Sequence, residues 1–204
     1  MTTQGFTQLS LALRLKTETA ALHERLDKLV TALDPFGSRA NYGRFVAAQY
    51  LFQRDVEPLY ASGPYAALIP DLAGRSRLAA AEADLRDLGV PLPVPQDASQ
   101  GPGLPLPEGL GWLYVSEGSK LGAAFLLKEA GQRLGLDEHF GARSLASPAD
   151  GRGAAWKRFV QALDGSGMAE EEQDRVVAGA RAAFQRFAVL LARSYDLDGE
   201  PSLA

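Results

Sequence analysis

Gly111-Trp112-Leu113-Tyr114-Val115-Ser116-Glu117-Gly118-Ser119-Lys120-Leu121-Gly122-Ala123-Ala124-Phe125 places Gly111, Tyr114, Gly118 and Gly122 along one stripe of a helix. Apolar residues recur through the stretch at helical spacing, so it reads as helix despite its glycines. Each interior Gly costs a helix about 1 kcal/mol against Ala. Three on one face therefore need a compensating role, and two are available. Small residues let a second helix pack closely. Alternatively, bare backbone lets a flat ligand press against the helix, with the glycines also allowing a bend. In both cases this face is built for close approach.

The same spacing extends outward in both directions. This helix runs from Glu108 to about Leu134. Upstream, Leu11, Leu15, Leu22, Leu26 and Leu29 mark one face of a first helix reaching to about Leu33, closed by the break Asp34-Pro35-Phe36-Gly37. A second helix carries Phe45, Gln49, Phe52, Val56 and Leu59, and shorter helical pieces lie between Tyr65 and Leu88. Six of the twelve prolines fall between Pro91 and Pro107, which marks a long loop rather than an element. Downstream, Gly141 to Gly153 is a polar connection, followed by a helix through Trp156, Phe159 and Leu163. The last helix shows Val177, Ala180, Phe184, Phe187 and Leu191, with Glu170, Glu171 and Glu172 in its first turns, where carboxylates favour the positive end of the dipole. The expected fold is all-α: a single-domain helical bundle over 1–204, with a Pro-rich loop at about 91–107 and a short polar tail at 196–204.

Composition narrows the function. The 204 residues include no cysteine, which removes thiolate chemistry and sulfur-ligated metals and fits a reducing cytoplasm. No apolar run approaches the roughly 20 residues of a membrane span, and Met1 to Gln8 lacks the charged-then-apolar pattern of a secretion signal. A net charge of −4 with no dense Lys/Arg stripe argues against nucleic acid. Gly118-Ser119-Lys120 lacks the strand–turn–helix setting of a nucleophile elbow. No phosphate loop or dinucleotide fingerprint occurs. A di-iron bundle would need Glu-x-x-His pairs on two helices, and no Glu lies three residues before His23.

Two histidines remain, His23 and His139. His139 sits in a crowded polar loop, Leu136-Asp137-Glu138-His139, and reads as a surface residue. His23 stands beside the apolar stripe of the first helix, one position from Leu22, where it can be half buried. A lone helical His is more often a boundary residue than a ligand, given how many roles His serves. Lys16 and Thr19 share its face, seven and four residues upstream, with Lys16 about 10.5 Å away at about 1.5 Å per residue.

At these two segments the sequence resembles the bacterial haem oxygenases. Leu13-Arg14-x-x-Thr17, followed by His23-x-x-x-Asp27, resembles that family's proximal helix. Tyr114-Val115-x-Glu117-Gly118-Ser119-x-Leu121-Gly122-Ala123-Ala124 resembles its distal helix. Arg44 to Phe52, Trp156-Lys157-x-Phe159-Val160 and Ala183-Phe184-x-x-Phe187 extend the similarity over most of the chain. The resemblance implies haem held between these two helices, with haem as both cofactor and substrate and O₂ as co-substrate. It implies His23 as the iron ligand, and Gly118, Ser119 and Gly122 over the oxygen-binding face. Gln49 joins a distal water network, together with Arg77 and Trp156 on weaker matches. Lys16, Thr19, Tyr114 and Phe184 then contact the haem.

A neutral imidazole pushes less electron density onto iron than a thiolate does, and opening haem requires oxygen to attack the ring's own meso edge. Close backbone bends the bound oxygen towards that edge, and ordered water delivers protons. The implied products are biliverdin, CO and iron. With no flavin or nicotinamide motif, electrons come from an external reductase or ferredoxin-type donor. In this family, members of the common type pair a Lys seven residues before the ligand His with a Tyr opening the distal helix. A variant class has Asn and Phe there and grips a rotated haem through added lysines. Here those positions hold Lys16 and Tyr114, while the added-lysine positions hold Thr31 and Glu129, which implies the α isomer. A haem carrier or sensor without turnover is the alternative, and a helical bundle whose glycines only pack is another. Whether the product serves iron acquisition or a phytochrome chromophore stays open.

Overall fold

The computed structural model describes residues 10–96 and 103–197, together with Gly199, Pro201 and Leu203. Eight α-helices are present among them: α1 Leu11–Glu18, α2 Ala20–Leu33, α3 Arg39–Tyr60, α4 Gly63–Leu68, α5 Leu78–Asp87, α6 Leu106–Leu134, α7 Arg152–Asp164 and α8 Glu170–Ser194. Short 3₁₀ turns lie at Leu72–Arg75 and Arg143–Leu145, and no strand occurs among the described residues. The all-helical expectation holds, and local chemistry accounts for the boundaries. Ser10 and Ser38 accept the backbone N–H of Leu13 and Asn41, at 3.2 and 3.1 Å, and so cap α1 and α3. Asp34 and Gly135 close α2 and α6 in the left-handed region, at φ 40° and 66°. The Glu172 carboxylate accepts the Ala169 N–H at 3.0 Å, fixing the start of α8 beneath its three glutamates.

The first helix is not continuous, which corrects the sequence expectation. It breaks at Thr19, whose φ of −110° and ψ of 2° interrupt the helical conformation. The Thr19 hydroxyl donates to the Leu15 carbonyl at 2.7 Å, the back-bonding that bends helices. The hydrogen-bond ladder nevertheless carries through, from Thr19 N to Leu15 O and from His23 N to Thr19 O, both at 3.0 Å.

The core runs along α3, α6 and α8. Aromatic rings connect it: Phe52 stacks on Trp112 at 5.9 Å and meets Phe187 edge-on at 5.5 Å, and Phe187 also meets Phe45. The expected apolar face of the last helix is buried at Val177, Ala180, Phe184, Phe187 and Leu191. Arg186 of α8 donates to the buried Asp55 of α3 at 2.7 Å, so this polar pair is matched inside the core. Beyond α8 the chain turns back. Leu203 is buried, its N–H donates to Gln185 at 2.9 Å, and its carbonyl accepts from Arg25. The polar tail thus carries one packed apolar residue. Of the Pro-rich loop, 97–102 lie outside the described residues, and α6 already starts at Leu106 rather than after Pro107. Among the described residues no helix is long and apolar enough to cross a membrane.

Candidate functional site

α2 and α6 both pack against α8. On the α2 side, Phe184 of α8 meets the His23 ring edge-on at 5.8 Å. His23 is not half buried, as its sequence position suggested; 63% of its side chain is exposed. Its Nδ1 lies 3.0 Å from Asp27 Oδ2, one helical turn on. A neutral imidazole held this way donates from Nδ1 to the carboxylate. That leaves the Nε2 of this exposed ring as the unprotonated nitrogen, as a metal-ligating His requires. Asp27 closes the proximal-helix motif in the sequence, but its role as the partner of Nδ1 was not assigned there, although its i,i+4 spacing from His23 was the available signal.

The glycine stripe of α6 divides into two parts. A Cβ on Gly111 would stand 2.1 Å from the Val176 carbonyl and 2.4 Å from the Ala180 nitrogen, so this glycine serves the contact with α8. Gly179 answers it from the other side, where a Cβ would meet the Glu108 carbonyl at 2.1 Å. Further along α6 the surroundings open. A Cβ on Gly118 would meet only the edge of the Trp156 ring, at 3.6 Å, and one on Gly122 would meet nothing within 4 Å. Phe125, three residues on, is 64% exposed. The packing reading of the stripe therefore applies to Gly111 and not to the other two glycines. Gly111 packs, while Gly118 and Gly122 leave an open backbone face.

Other residues named from the sequence fall around this face in varying degrees. Tyr114 is half-buried with its ring 5.5 Å from Trp156, which in turn stacks on Phe159, and burial pushes the Tyr114 hydroxyl above its ordinary range. The structure thus brings Tyr114, Gly118 and Trp156 together. Ser119 turns its hydroxyl back to the Ser116 carbonyl at 2.8 Å. Gln49 is half-buried on α3, and Lys16 is exposed in the last turn of α1. Thr19 is buried, with its hydroxyl committed to Leu15. It therefore faces inward rather than sharing the exposed face of His23. Arg77 donates to the Ala146 carbonyl at 3.1 Å, and its Nε is buried without a hydrogen-bond partner. His139 is exposed beside Glu138, as expected of a surface residue.

Two features escaped the sequence reading. Gln53 is buried at 5% exposure on α3, and its Oε1 has no partner. It lies one turn beyond Gln49, and a buried amide oxygen left open is a place for water or ligand. Behind the glycines, Ser116, Glu117 and Lys120 join Tyr60 and Arg75 in a buried polar cluster. A cavity of about 300 Å³ between α3, α8 and residues 90–96 shares no lining residue with the His23 and Gly118 region.

The donor set is one exposed imidazole on α2, a bare backbone face on α6 and an aromatic ring from α8. Among the described residues no three His, Asp or Glu side chains gather to hold a bare ion. A metal carried in a flat macrocycle that supplies its own in-plane ligands fits this arrangement. Comparison with known proteins decides the matter: the family described as "Heme oxygenase" matches residues 9–193. The chain belongs to the haem oxygenase family. Haem oxygenase PigA of Pseudomonas aeruginosa is 54% identical over 182 residues, covering 89% of this chain and 91% of that protein. The NO- and CO-bound haem oxygenase of Neisseria meningitidis superposes with a TM-score of 0.88 at 37% identity, over 95% of this chain and 98% of that one. Haem oxygenase 2 of Chlamydomonas reinhardtii, solved without haem, shares the fold at a TM-score of 0.68 and 14% identity, over 95% and 99% of the two chains. As a haem oxygenase, the chain is an oxygen-dependent, haem-degrading oxidoreductase with haem as substrate.

Proposed function

We propose that this haem oxygenase opens its substrate at the α-meso carbon, releasing α-biliverdin, carbon monoxide and iron, with His23 as the one protein ligand of the iron. The observation that carries the reading is the pairing of an exposed imidazole, tied at Nδ1 to Asp27, with the open Gly118–Gly122 face of α6. When bound, haem supplies the iron that activates O₂ and the ring that is cut. The chain's own residues do the rest. His23 anchors the substrate from one side. Backbone at Gly118 and Gly122 crowds the other side and limits where oxygen can lean. Gln49, with the unpartnered Gln53 Oε1 and Arg77 Nε, offers polar atoms that hold water for proton delivery. Phe184 lines the edge beside His23, and Trp156 borders Gly118.

The isomer follows from who holds the propionates. Lys16 and Tyr114 offer three donors and one hydroxyl. Thr31 donates to the Asp27 carbonyl at 2.8 Å and carries no charge, and Glu129 would repel a carboxylate. A charge-assisted hydrogen bond contributes about 1.5–3 kcal/mol, enough to bias one seating over another roughly tenfold or more. Electrons arrive from an external reductase or ferredoxin-type donor, and we place the enzyme in the cytoplasm as a single domain. Aerobic reduction of the haem complex tests the whole reading. The Soret band should collapse, chromatography should return mainly the α isomer, and Lys16→Asn combined with Tyr114→Phe should yield mixed isomers. A persistent Soret band would indicate a haem carrier, and a predominance of the β or δ isomer would mean the propionates are held elsewhere.

A further inference from the structure

The open glycine face of α6 cannot be held in place by its own side chains, so its distance from a ligand must be set from another side of the helix. At about 100° per residue, Glu117, Lys120 and Ser116 stand about 100–200° round the helix from Gly118. They form the buried cluster already noted. Both carboxylate oxygens of Glu117 are used: Oε1 accepts from Tyr60 at 2.7 Å and from Lys120, and Oε2 accepts from Arg75 at 3.1 Å. The Tyr60 hydroxyl also meets Ser116 Oγ at 2.8 Å, and Lys120 Nζ donates to the Arg75 carbonyl at 2.7 Å. The Glu117 side chain is only 3% exposed.

This cluster reaches three neighbours of α6. Tyr60 belongs to the last turn of α3, and Arg75 to the 3₁₀ turn. Arg75 Nη1 also donates to the Ala155 carbonyl of α7 at 3.1 Å, one residue before the Trp156 that borders Gly118. Arg152 of α7 donates to the Lys120 carbonyl at 3.1 Å. Two cations share one carboxylate, and Arg75 Nε and Nη2 are buried without hydrogen-bond partners, Nη2 lying 3.6 Å from Asp71. Such a cluster is a poor device for stability alone, since apolar residues of equal volume often hold a fold as well or better. What directional bonds add is a fixed position.

We propose that Glu117 is a positioning residue: gripped by Tyr60, Arg75 and Lys120 behind the helix, it sets how closely the Gly118–Gly122 face and Trp156 approach the substrate. The inference rests on the haem reading of the site. Two variants test it: Glu117→Gln, which keeps the shape and removes the charge, and Tyr60→Phe, which removes one hydroxyl from the same grip. The readouts are the C–O stretching band of the carbon monoxide complex, which senses the distal wall, and the isomer ratio of the product. Haem affinity serves as the control for the His23 side. Tyr60→Phe should shift or split the carbon monoxide band and loosen isomer selectivity by up to about tenfold, the size expected for one charge-assisted hydrogen bond. Haem affinity should stay near that of the parent chain. If Glu117→Gln fails to fold, Tyr60→Phe decides alone. A lower melting temperature with an unchanged carbon monoxide band and isomer ratio would overturn the proposal and leave the cluster a structural one. A parent chain that binds no haem would overturn the haem reading and this proposal together, whereas parent-like variants of a haem-binding parent overturn only the proposal.

Discussion

Substituting Ala at Gly111 and at Gly122 separates packing from substrate approach on one helix. At Gly111 the new Cβ would sit 2.1 Å from the Val176 carbonyl oxygen and 2.4 Å from the Ala180 nitrogen. Non-bonded heavy atoms settle near 3.5 Å, so without other relaxation α6 and α8 must part locally by about 1.1–1.4 Å. A gap of that size forfeits about half or more of each dispersion contact across the seam. Overpacking of this kind costs about 1–3 kcal/mol. The obstacles are backbone atoms that cannot rotate away, which puts the cost at the upper end. Alanine's better helix propensity returns about 1 kcal/mol, leaving a net loss of about 2 kcal/mol. For a chain of this length that lowers the melting temperature by about 4–8 °C. At Gly122 the Cβ meets nothing within 4 Å, so Gly122→Ala should stabilise the haem-free chain by about 0.4–1 kcal/mol while slowing ring opening. Urea denaturation of the haem-free variants gives the first quantity, and aerobic turnover of the reconstituted proteins gives the second. A Gly111→Ala chain as stable as the parent would refute the seam, and a Gly122→Ala chain that is both more stable and fully active would refute the open face as the place where oxygen acts.

Replacing His23 with Ala should weaken haem binding or alter the coordination spectrum and abolish turnover until free imidazole is supplied; unchanged turnover would return His139 to consideration. Asp27→Asn should leave the fold intact and reduce haem affinity or turnover by about 10–100-fold, the usual effect of losing a carboxylate behind a ligand His, and a parent-like rate would show the Asp27 contact to be incidental. Burial pushes the Tyr65 and Tyr195 hydroxyls up to about 12. The unfolded chain releases those protons near pH 10, so the folded state holds more of them between pH 10 and 12. Their contribution is therefore fully present below pH 10 and is lost as the pH rises towards 12. Tyrosinate absorbance should then rise together with loss of helical circular dichroism. Ionisation of both near pH 10 with the helices intact would contradict their burial.

The helices were legible because burial imposes a period on the chain. Phe45, Phe52, Val56 and Leu59 mark α3 whatever they pack against, and Val177 to Leu191 mark α8 in the same way. The break at Thr19 was not legible, since it depends on a hydroxyl choosing the Leu15 carbonyl over solvent. Nor could spacing distinguish Gly111 from Gly122. The difference lies in what stands opposite, and Val176 and Gly179 come from a helix that begins at Glu170. The exposure of His23 was misjudged for a related reason. A position beside an apolar stripe is half buried only if something covers it, and here the polypeptide leaves that flank open.

Glu117 illustrates the remaining gap between sequence and site. Within its own helix it is one carboxylate between Ser116 and Gly118, three residues before a lysine, and that pattern resembles an ordinary exposed i,i+3 pair. Its burial depends on Tyr60 and Arg75, which only the fold brings to it. Lys120 is pushed below its usual range by that same burial, with Glu117 acting against the shift. The two faces of α6 are thus complementary. In the positioning role proposed for Glu117, the glycine face has no side chains to define its height, and the bonds that define it lie on the opposite half of the helix. The signal in such a helix is therefore the pairing of open glycines with a buried charge one residue away, and Glu117-Gly118 is that pairing in this chain.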